Sequence, residues 1–449
     1  MAIEEVSLYE DIIRLSSGLE YGTRKVFECT LIVNDFQLRA MVVNSLTLNR
    51  DYRDSYGDNL IIEVMVSMGT YMHKIFPQRQ RLRVQLKTTV MDCRGDIIDP
   101  DRAVSVDYYR ATILDSKDPA VVDQSEESEN IVYGDISNLE VVSLQLTDSI
   151  LETTRQSSIQ AIVRNSNLDS LIKALLRGDI FVSDNIEKVN GVIMTPSDNE
   201  IIYKQIILPP TSNIIDIIDW IQDYYGIYNN GLGVYLQSNF WYVFPLLQTE
   251  KFKEDDMSVT IVILPASKMP GSEKTFDFKD NHLVILGTGE RDQIDNTDAE
   301  QRNVGNGVRY IDGDRVIDHY STTTAGKTTI VKEDNILEYR SAERADGLNY
   351  IPFLDKIASV NHRSILSKLA TTRENKITVS WENSEPNLLL PGMSVRYLYR
   401  ENDVIKSITG VLINVLHRYA AIGEGILEEV QSSMSTLTIL AQSEILEDG

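Results

Sequence analysis

The chain has 449 residues, 42% of them hydrophobic, enough to bury more than one core. Its 43 Lys and Arg against 67 Asp and Glu leave a formal net charge of −24, which argues against a nucleic-acid binder but not against a channel along which DNA slides without sticking. No run is long and apolar enough to span a bilayer, the first residues are acidic where a signal peptide would be basic, and Cys29 and Cys93 are too few for a disulfide framework, so synthesis and folding in a cytoplasm are expected.

A short helical pattern at residues 8–15 precedes residues 26–33, where Phe27, Cys29, Leu31 and Val33 share one face. Cys29 on that face reads as a buried thiol. Asn34-Asp35 make a two-residue turn, and Phe36, Leu38, Ala40 and Val42 resume the alternation, which is a hairpin. Leu60, Ile62, Val64, Val66 and Met68 form a third alternating run. Leu82, Val84, Leu86, Thr88 and Val90 form a fourth, against Arg81, Arg83, Gln85 and Lys87. An antiparallel sheet or small barrel with one wet face is expected over residues 1–114. Residues 49–58, rich in Tyr and charge, are expected to be a solvated loop or a partner contact.

Residues 115–130 hold six acids against one lysine and read as a solvated linker or exposed loop. A mixed α/β domain is expected over residues 131–247. In it Asn167 caps a helix whose Leu168, Leu171, Ile172, Leu175 and Leu176 lie on one face, and a strand near residues 201–207 stops at Leu208-Pro209-Pro210 because proline disfavours helix before it and fixes φ. Ser212 or Asn213 then caps a second helix. Asp216, Asp219, Gln222 and Asp223 recur on its wet side, and Ile214, Ile217, Ile218, Ile221 and Tyr225 form the opposite stripe. Isoleucine is a mediocre helix former, so this helix must be held by burial of that stripe. Gly226 stands where a left-handed cap is expected, Asn229-Asn230-Gly231 makes a turn, and residues 232–236, Ser238-Asn239 and 240–244 read as strand, tight turn and strand.

Residues 248–286 are expected to supply strands that pair with a C-terminal barrel, and residues 287–335 to form a polar insertion or arm. Two motif look-alikes fall there. Ala325-Gly326-Lys327-Thr328-Thr329 lacks the earlier glycine of a phosphate loop, whose place is taken by Ser321, and no apolar strand pattern precedes it. Gly287-Thr288-Gly289 has Asp292 where a dinucleotide fingerprint needs its third glycine. Asp292, Asp295, Asp298 and Asp312-Gly313-Asp314 do not have the spacing of a helix-loop-helix calcium site. His73, His282, His319, His362 and His417 are dispersed, with no pair at zinc-ligand spacing, and no acid pair carries a specific sign of glycoside hydrolysis. No residue is therefore assigned a catalytic, cofactor-binding or metal-ligating role, and the chain is not expected to be an enzyme.

Residues 336–449 are expected to hold a helix, marked by Ile357, Val360, Leu366 and Leu369, and then a second small barrel. Its strands are read at residues 376–381, 395–399, 405–416 (one strand or a pair bent near Gly410) and 434–441, with Leu390-Pro391-Gly392 as a turn. The expected fold class is α+β and β-rich, with two small antiparallel β-barrels flanking a mixed α/β domain.

Leu208-Pro209-Pro210-Thr211 with its helix and Tyr225-Gly226-Ile227-Tyr228, together with Leu390-Pro391-Gly392-Met393-Ser394-Val395 leading through Gly410 to Leu416-His417-Arg418-Tyr419, carry a resemblance. The layout resembles the baseplate hub proteins of contractile-tailed bacteriophages, relatives of the hubs of bacteriocin and type VI secretion devices. The resemblance implies a homotrimer whose two barrels per subunit build a pseudo-sixfold ring joining a sixfold tail tube to a threefold central spike. It also implies a virion protein whose partners are itself, the spike, the tube, baseplate wedge proteins and, as a further candidate, the tape measure protein. Neither sequence-specific nucleic acid nor membrane insertion is among the expectations. The alternative is a host-surface or carbohydrate-binding tail protein, suggested by Tyr52, Tyr56 and the aromatic hairpin.

Overall fold

A computed structural model describes residues 24–33, 36–91, 104–114, 139–178, 189–209, 213–228, 231–246, 258–264, 275–279, 281–295, 308–311, 320–325, 328–333, 336–339, 373–401, 404–421 and 431–441. The expected elements at residues 8–15, 115–130 and 357–369, and Cys93, lie outside them.

The first barrel is built from β1 (Arg24–Val33), β2 (Phe36–Arg39), β3 (Val42–Asp51), β4 (Asn59–Ser67), β5 (Leu82–Met91), β6 (Val104–Ile113) and β7 (Leu139–Asp148). β5 pairs β1 and β6, β7 pairs β6 and β4, and β4 pairs β3, all antiparallel. The circle closes because β2 and β3 act as one bent strand. β2 pairs β1, Ala40 still donates its N–H to Cys29 O at 2.9 Å, and Met41 then donates to Met65 O at 2.9 Å in β4. At this bend the expected alternation breaks. Val43 rather than Val42 enters the core, and Phe36, expected inside, is exposed, as is Met68 at the far end of its run. Cys29, Leu31, Val33, Leu60, Ile62, Val64, Val66, Leu82, Val84 and Leu86 fill the interior as their period-2 spacing requires. Residues 139–148, expected with the mixed domain, instead supply the strand that joins β6 to β4, since the apolar parity of Val142, Leu144 and Leu146 is satisfied only inside this barrel.

The mixed domain follows without a break. Asp148 caps α1 (Ser149–Gln156), its carboxylate accepting from Ile150 N at 2.7 Å. Next come β8 (Ile162–Ser166), α2 (Leu168–Arg177), β9 (Gly191–Met194), β10 (Tyr203–Ile207), α3 (Ile214–Tyr225), β11 (Leu232–Gln237) and β12 (Phe240–Pro245). Asn167 and Asn213 cap α2 and α3 by accepting from Ser170 N and Asp216 N, and the whole apolar stripe of α2 is buried. The isoleucines of α3 are buried as expected, with Ile215 in addition. Gly226 has the expected positive φ, 66°, but an extended ψ of 106°, so it ends α3 outside the left-handed helical region. β8 pairs β10, β12 pairs β11 through a turn at Ser238 and Asn239, both at positive φ, and β9 runs parallel to β12.

The second barrel draws on distant segments: β13 (Ser258–Ile263), β14 (Phe276–Lys279) and β15 (His282–Asp295), then β20 (Arg373–Glu382), β21 (Ser394–Glu401), β22 (Val404–Ala421) and β23 (Gln431–Ala441). Between β15 and β20, β16 (Val308–Ile311) pairs β19 (Ile336–Tyr339), and β17 (Tyr320–Ala325) pairs β18 (Thr328–Glu333). The ring runs β13, β21, β22, β23, β20, β15 and back to β13, with parallel pairing on both sides of β13 and antiparallel pairing elsewhere. β14 lies outside it, on β15. Residues 287–295, expected in the polar insertion, continue β15 into the barrel. Residues 405–416 lie in one 18-residue strand whose irregularity falls between Leu412 and Asn414, not at Gly410.

β22 is long enough to serve both barrels. Its first half pairs β21, its second half pairs β3 of the first barrel, and β23 follows it and touches β1 at Lys25↔Gln431. The two barrels are thus one continuous sheet system, and their seam lies along residues 414–421.

Candidate functional site: the seam between the barrels

The alternation that builds each strand also places polar side chains inside this seam. In β1, Lys25 has the parity of Cys29, Leu31 and Val33. In β3, Arg50 has the parity of Leu46 and Leu48, and in β22, His417 lies between Val415 and Tyr419 on the buried face. A charge on an apolar parity must find a partner or destabilise the fold.

Arg50, 3% exposed, finds several. Its Nε donates to Asp58 Oδ1 at 3.1 Å, Nη2 to Asp58 Oδ2 at 3.2 Å and to Asn387 Oδ1 at 3.3 Å, and Nη1 to Pro386 O at 2.7 Å. Burial opposes the guanidinium charge, but Asp58 outweighs it and holds the pKa above its ordinary value. Asp58 also accepts from the Tyr235 hydroxyl at 2.9 Å. The Tyr52 hydroxyl donates to Gln237 Oε1 at 3.3 Å, Gln237 Nε2 donates to Leu389 O at 2.8 Å, and the Tyr52 and Tyr235 rings meet edge to face at 4.8 Å. A loop of the first barrel, a turn of the second and the β11–β12 hairpin therefore converge on one point. The expectation of a solvated loop at residues 49–58 holds for Arg53 and Asp54, which are exposed, and is corrected at Arg50 and Tyr52, which are buried because three substructures close over them. The loop's outer limb also joins the mixed domain, since the Tyr56 hydroxyl bonds Asp219 of α3 and Leu236 N donates to Tyr56 O at 2.8 Å. Burial raises the pKa of Asp219, helped by Asp216 and Asp223 against the lowering effect of that hydroxyl.

The second polar group sits where β1, β22 and β23 meet. Lys25 Nζ lies 2.6 Å from Glu385 Oε2 and donates to Tyr419 Oη at 3.1 Å. Burial works against this ammonium, and the Tyr419 oxygen and Glu385 carboxylate together overcome it, raising its pKa. His417 Nδ1 lies 2.7 Å from Ser435 Oγ and 3.2 Å from Ser384 Oγ, and the two hydroxyls are 2.7 Å apart. Burial, with Lys25 and Arg50 nearby, pushes the His417 pKa down to about 3. Its Nε2 and Trp241 Nε1 are the buried polar side-chain atoms without a partner among the described residues. A serine and a histidine in contact suggest nucleophilic chemistry, yet this pair is sealed in the seam with His417 at 0% exposure, so a substrate has no approach.

Other candidates disperse. Burial raises the Cys29 thiol pKa to about 12, which leaves it an inert core residue. His73 is exposed, His282 lies at the start of β15, and His319 and His362 fall outside the described residues. Ala325 and Thr328 pair across the end of the β17–β18 hairpin, while Gly326 and Lys327 are not described. Gly287 and Gly289 lie within β15, where an added Cβ would meet Val379 Cγ1 at 2.6 Å and Thr378 O at 2.4 Å, so their glycines answer to packing against β20. Asp298, Asp312 and Asp314 are likewise outside, and no group of three metal-binding side chains exists among the described residues. No helix there is long and apolar enough to cross a membrane. The residues missed by sequence reasoning are Lys25, Ser384, Glu385 and Ser435. Lys25 and Arg50 had a legible signal, a cation on an apolar parity; the others sit in a turn and on a polar strand whose partners are remote.

Residues 65–320 match the family described as Bacteriophage PBS1 gene 109 protein. No curated protein matches the chain. Among solved structures, a 43 kDa tail protein of prophage MuSo2 from Shewanella oneidensis is 10% identical at a TM-score of 0.46, covering 92% of this chain and 98% of that one. The Francisella PdpA-VgrG complex gives 12% identity at 0.43 over 96% of this chain, which spans 55% of that chain's length. An E. coli type VI secretion component, described as structurally similar to T4 bacteriophage tail proteins gp27 and gp5, gives 8% identity at 0.40, covering 92% of this chain and 77% of that one.

Proposed function

The chain belongs to the Bacteriophage PBS1 gene 109 protein family, and from that premise we propose that it is a structural virion protein, the central hub of a phage tail baseplate. The supporting observation is the pair of closed six-stranded barrels fused through β22 and β23. Two similar barrels per subunit, repeated three times, present six similar units to a sixfold tube, while the single mixed domain of each subunit repeats three times toward a threefold spike. Barrels welded by a shared strand and the buried Lys25–Glu385 ion pair move as one body, as a ring around a channel requires. The net charge of −24 suits a wall from which DNA is repelled. In this role the protein is a homotrimer meeting the spike, the tube and the wedge proteins, with the tape measure protein as a further candidate.

The carbohydrate-binding alternative loses the residues that suggested it. Tyr52, Trp241 and Phe244 are buried in packing, and the Tyr56 hydroxyl is engaged by Asp219. Light scattering on the purified protein, alone and mixed with its spike partner, tests the hub directly: a trimer is expected, and a stable monomer in the presence of the spike rejects it. A turbidity assay on host cell walls is expected to show no clearing.

A further inference from the structure

Strand β6 leaves part of its edge open. Leu114 N donates to Ser143 O of β7 at 3.0 Å, and the polar backbone groups of a strand point alternately to its two sides, so Leu114, Thr112 and Arg110 address β7 while the residues between them address β5. The pairing with β7 stops at Tyr109↔Asp148, where the chain turns into α1. The N–H and C=O groups of Tyr108, Val106 and Val104 therefore point past the end of β7, and no strand among the described residues meets them. Residues 104–108 are exposed on both faces of the strand, with Val106 at 43% and Tyr108 at 60%. An edge of β-branched and aromatic residues, with no lysine, proline or bulge to guard it, is a template for another strand.

The second barrel carries a matching edge in β14, which pairs β15 alone. Thr275 O accepts from Leu286 N at 2.8 Å, which turns Thr275 and, two residues on, Asp277 toward β15, so the polar groups of Phe276 and Phe278 point away from it. Phe278 is exposed as well. Both edges are removed from the seam: β6 is reached from the seam strand β1 through β5, and β15, which holds β14, from the seam strand β23 through β20. One chain cannot bring its own two edges together, because the welded seam lies between them. A second copy can.

We propose that β6 of one subunit pairs edge to edge with β14 of the next, so that the contact between subunits repeats the kind of strand pairing by which β3 and β22 join the barrels within one. The proposal rests on the ring reading and supplies its other half, since the seam makes every second contact between barrels and this pairing makes the contacts in between. It is a head-to-tail contact, with different surfaces on its two sides, which is the type that closes into rings. The main-chain groups of Val104, Val106 and Tyr108 gain partners, and their side chains meet Phe276 and Phe278 as cross-strand apolar pairs.

The test uses the full chain carrying Cys93→Ser, with Cys29 buried, and adds Val106→Cys and Phe278→Cys together or singly. Light scattering, with and without the spike, reads the assembly, and denaturing electrophoresis after treatment with a short bis-maleimide reads the contact. Covalent trimers are expected from the double variant and no cross-linked species from either single one. Val106→Pro removes an N–H that only the open edge uses and keeps the bonds of β6 to β5, so it should weaken the trimer about tenfold in a dilution series while the circular dichroism stays native. Val104→Lys with Val106→Lys, which guards the edge with charge, should act in the same direction. A trimer whose double variant is not cross-linked, a dimer cross-linked through either single cysteine, or dilution behaviour unchanged by both edge variants overturns the pairing and leaves the hub assignment standing. A monomer with and without the spike overturns both.

Discussion

The two polar groups in the seam solve the same problem differently. Around Arg50 every guanidinium nitrogen has an acceptor, and the counter-charge, Asp58, is itself held by Tyr235. Around His417 the charges of Lys25 and Glu385 are balanced, but the imidazole keeps a buried nitrogen without a partner. The first group pairs its buried charge completely; the second tolerates only a neutral histidine. The seam therefore has one joint whose polar atoms are all partnered and one that yields to acid.

Breaking the first joint carries the largest expected effect. Arg50→Ala strips a buried cation from Asp58, Pro386 O and Asn387 Oδ1, and should lower stability by about 3–5 kcal/mol, read as a fall in the urea midpoint. Lys25→Met leaves Glu385 facing the seam and should cost about 2–4 kcal/mol, with faster amide exchange at Tyr419 and in β23 while the interior of the first barrel stays protected. A unit slope that shows the loss as uniform across both barrels would contradict a seam-local role.

The pH dependence sharpens the contrast. The native pKa of His417 is depressed to about 3 from an ordinary 6.5, so below pH 6.5 the unfolded chain binds a proton that the native chain refuses. Stability from this group is complete above pH 6.5 and declines as pH falls toward 3, by about 1.4 kcal/mol per pH unit. His417→Asn should flatten the stability profile in that window; an unchanged slope would remove His417 from the acid response. Smallest is Tyr56→Phe, which deletes the contact with Asp219 and should cost about 1 kcal/mol, read as a small downward shift of the thermal midpoint.

Much of this architecture is legible in the sequence. The strand parities of the first barrel, the caps at Asn167 and Asn213, the isoleucine stripe of α3 and the β11–β12 hairpin all rest on neighbours within a few residues. What escaped was set by remote pairing. That residues 139–148 complete the first barrel, and that β13 is gripped in parallel by β15 and β21, depends on partners no local pattern names. Lys25 and Glu385 are 360 residues apart. The Tyr-rich and charged loop at residues 49–58 read as wet because its composition is polar, whereas Arg50 is dry only because three substructures meet there.

The measurement that bears most directly on the hub assignment is negative-stain imaging of the protein with its spike partner. Threefold rings whose outline repeats six times, two lobes per subunit, are expected. Isolated two-lobed particles, or rings of any other order, would contradict it.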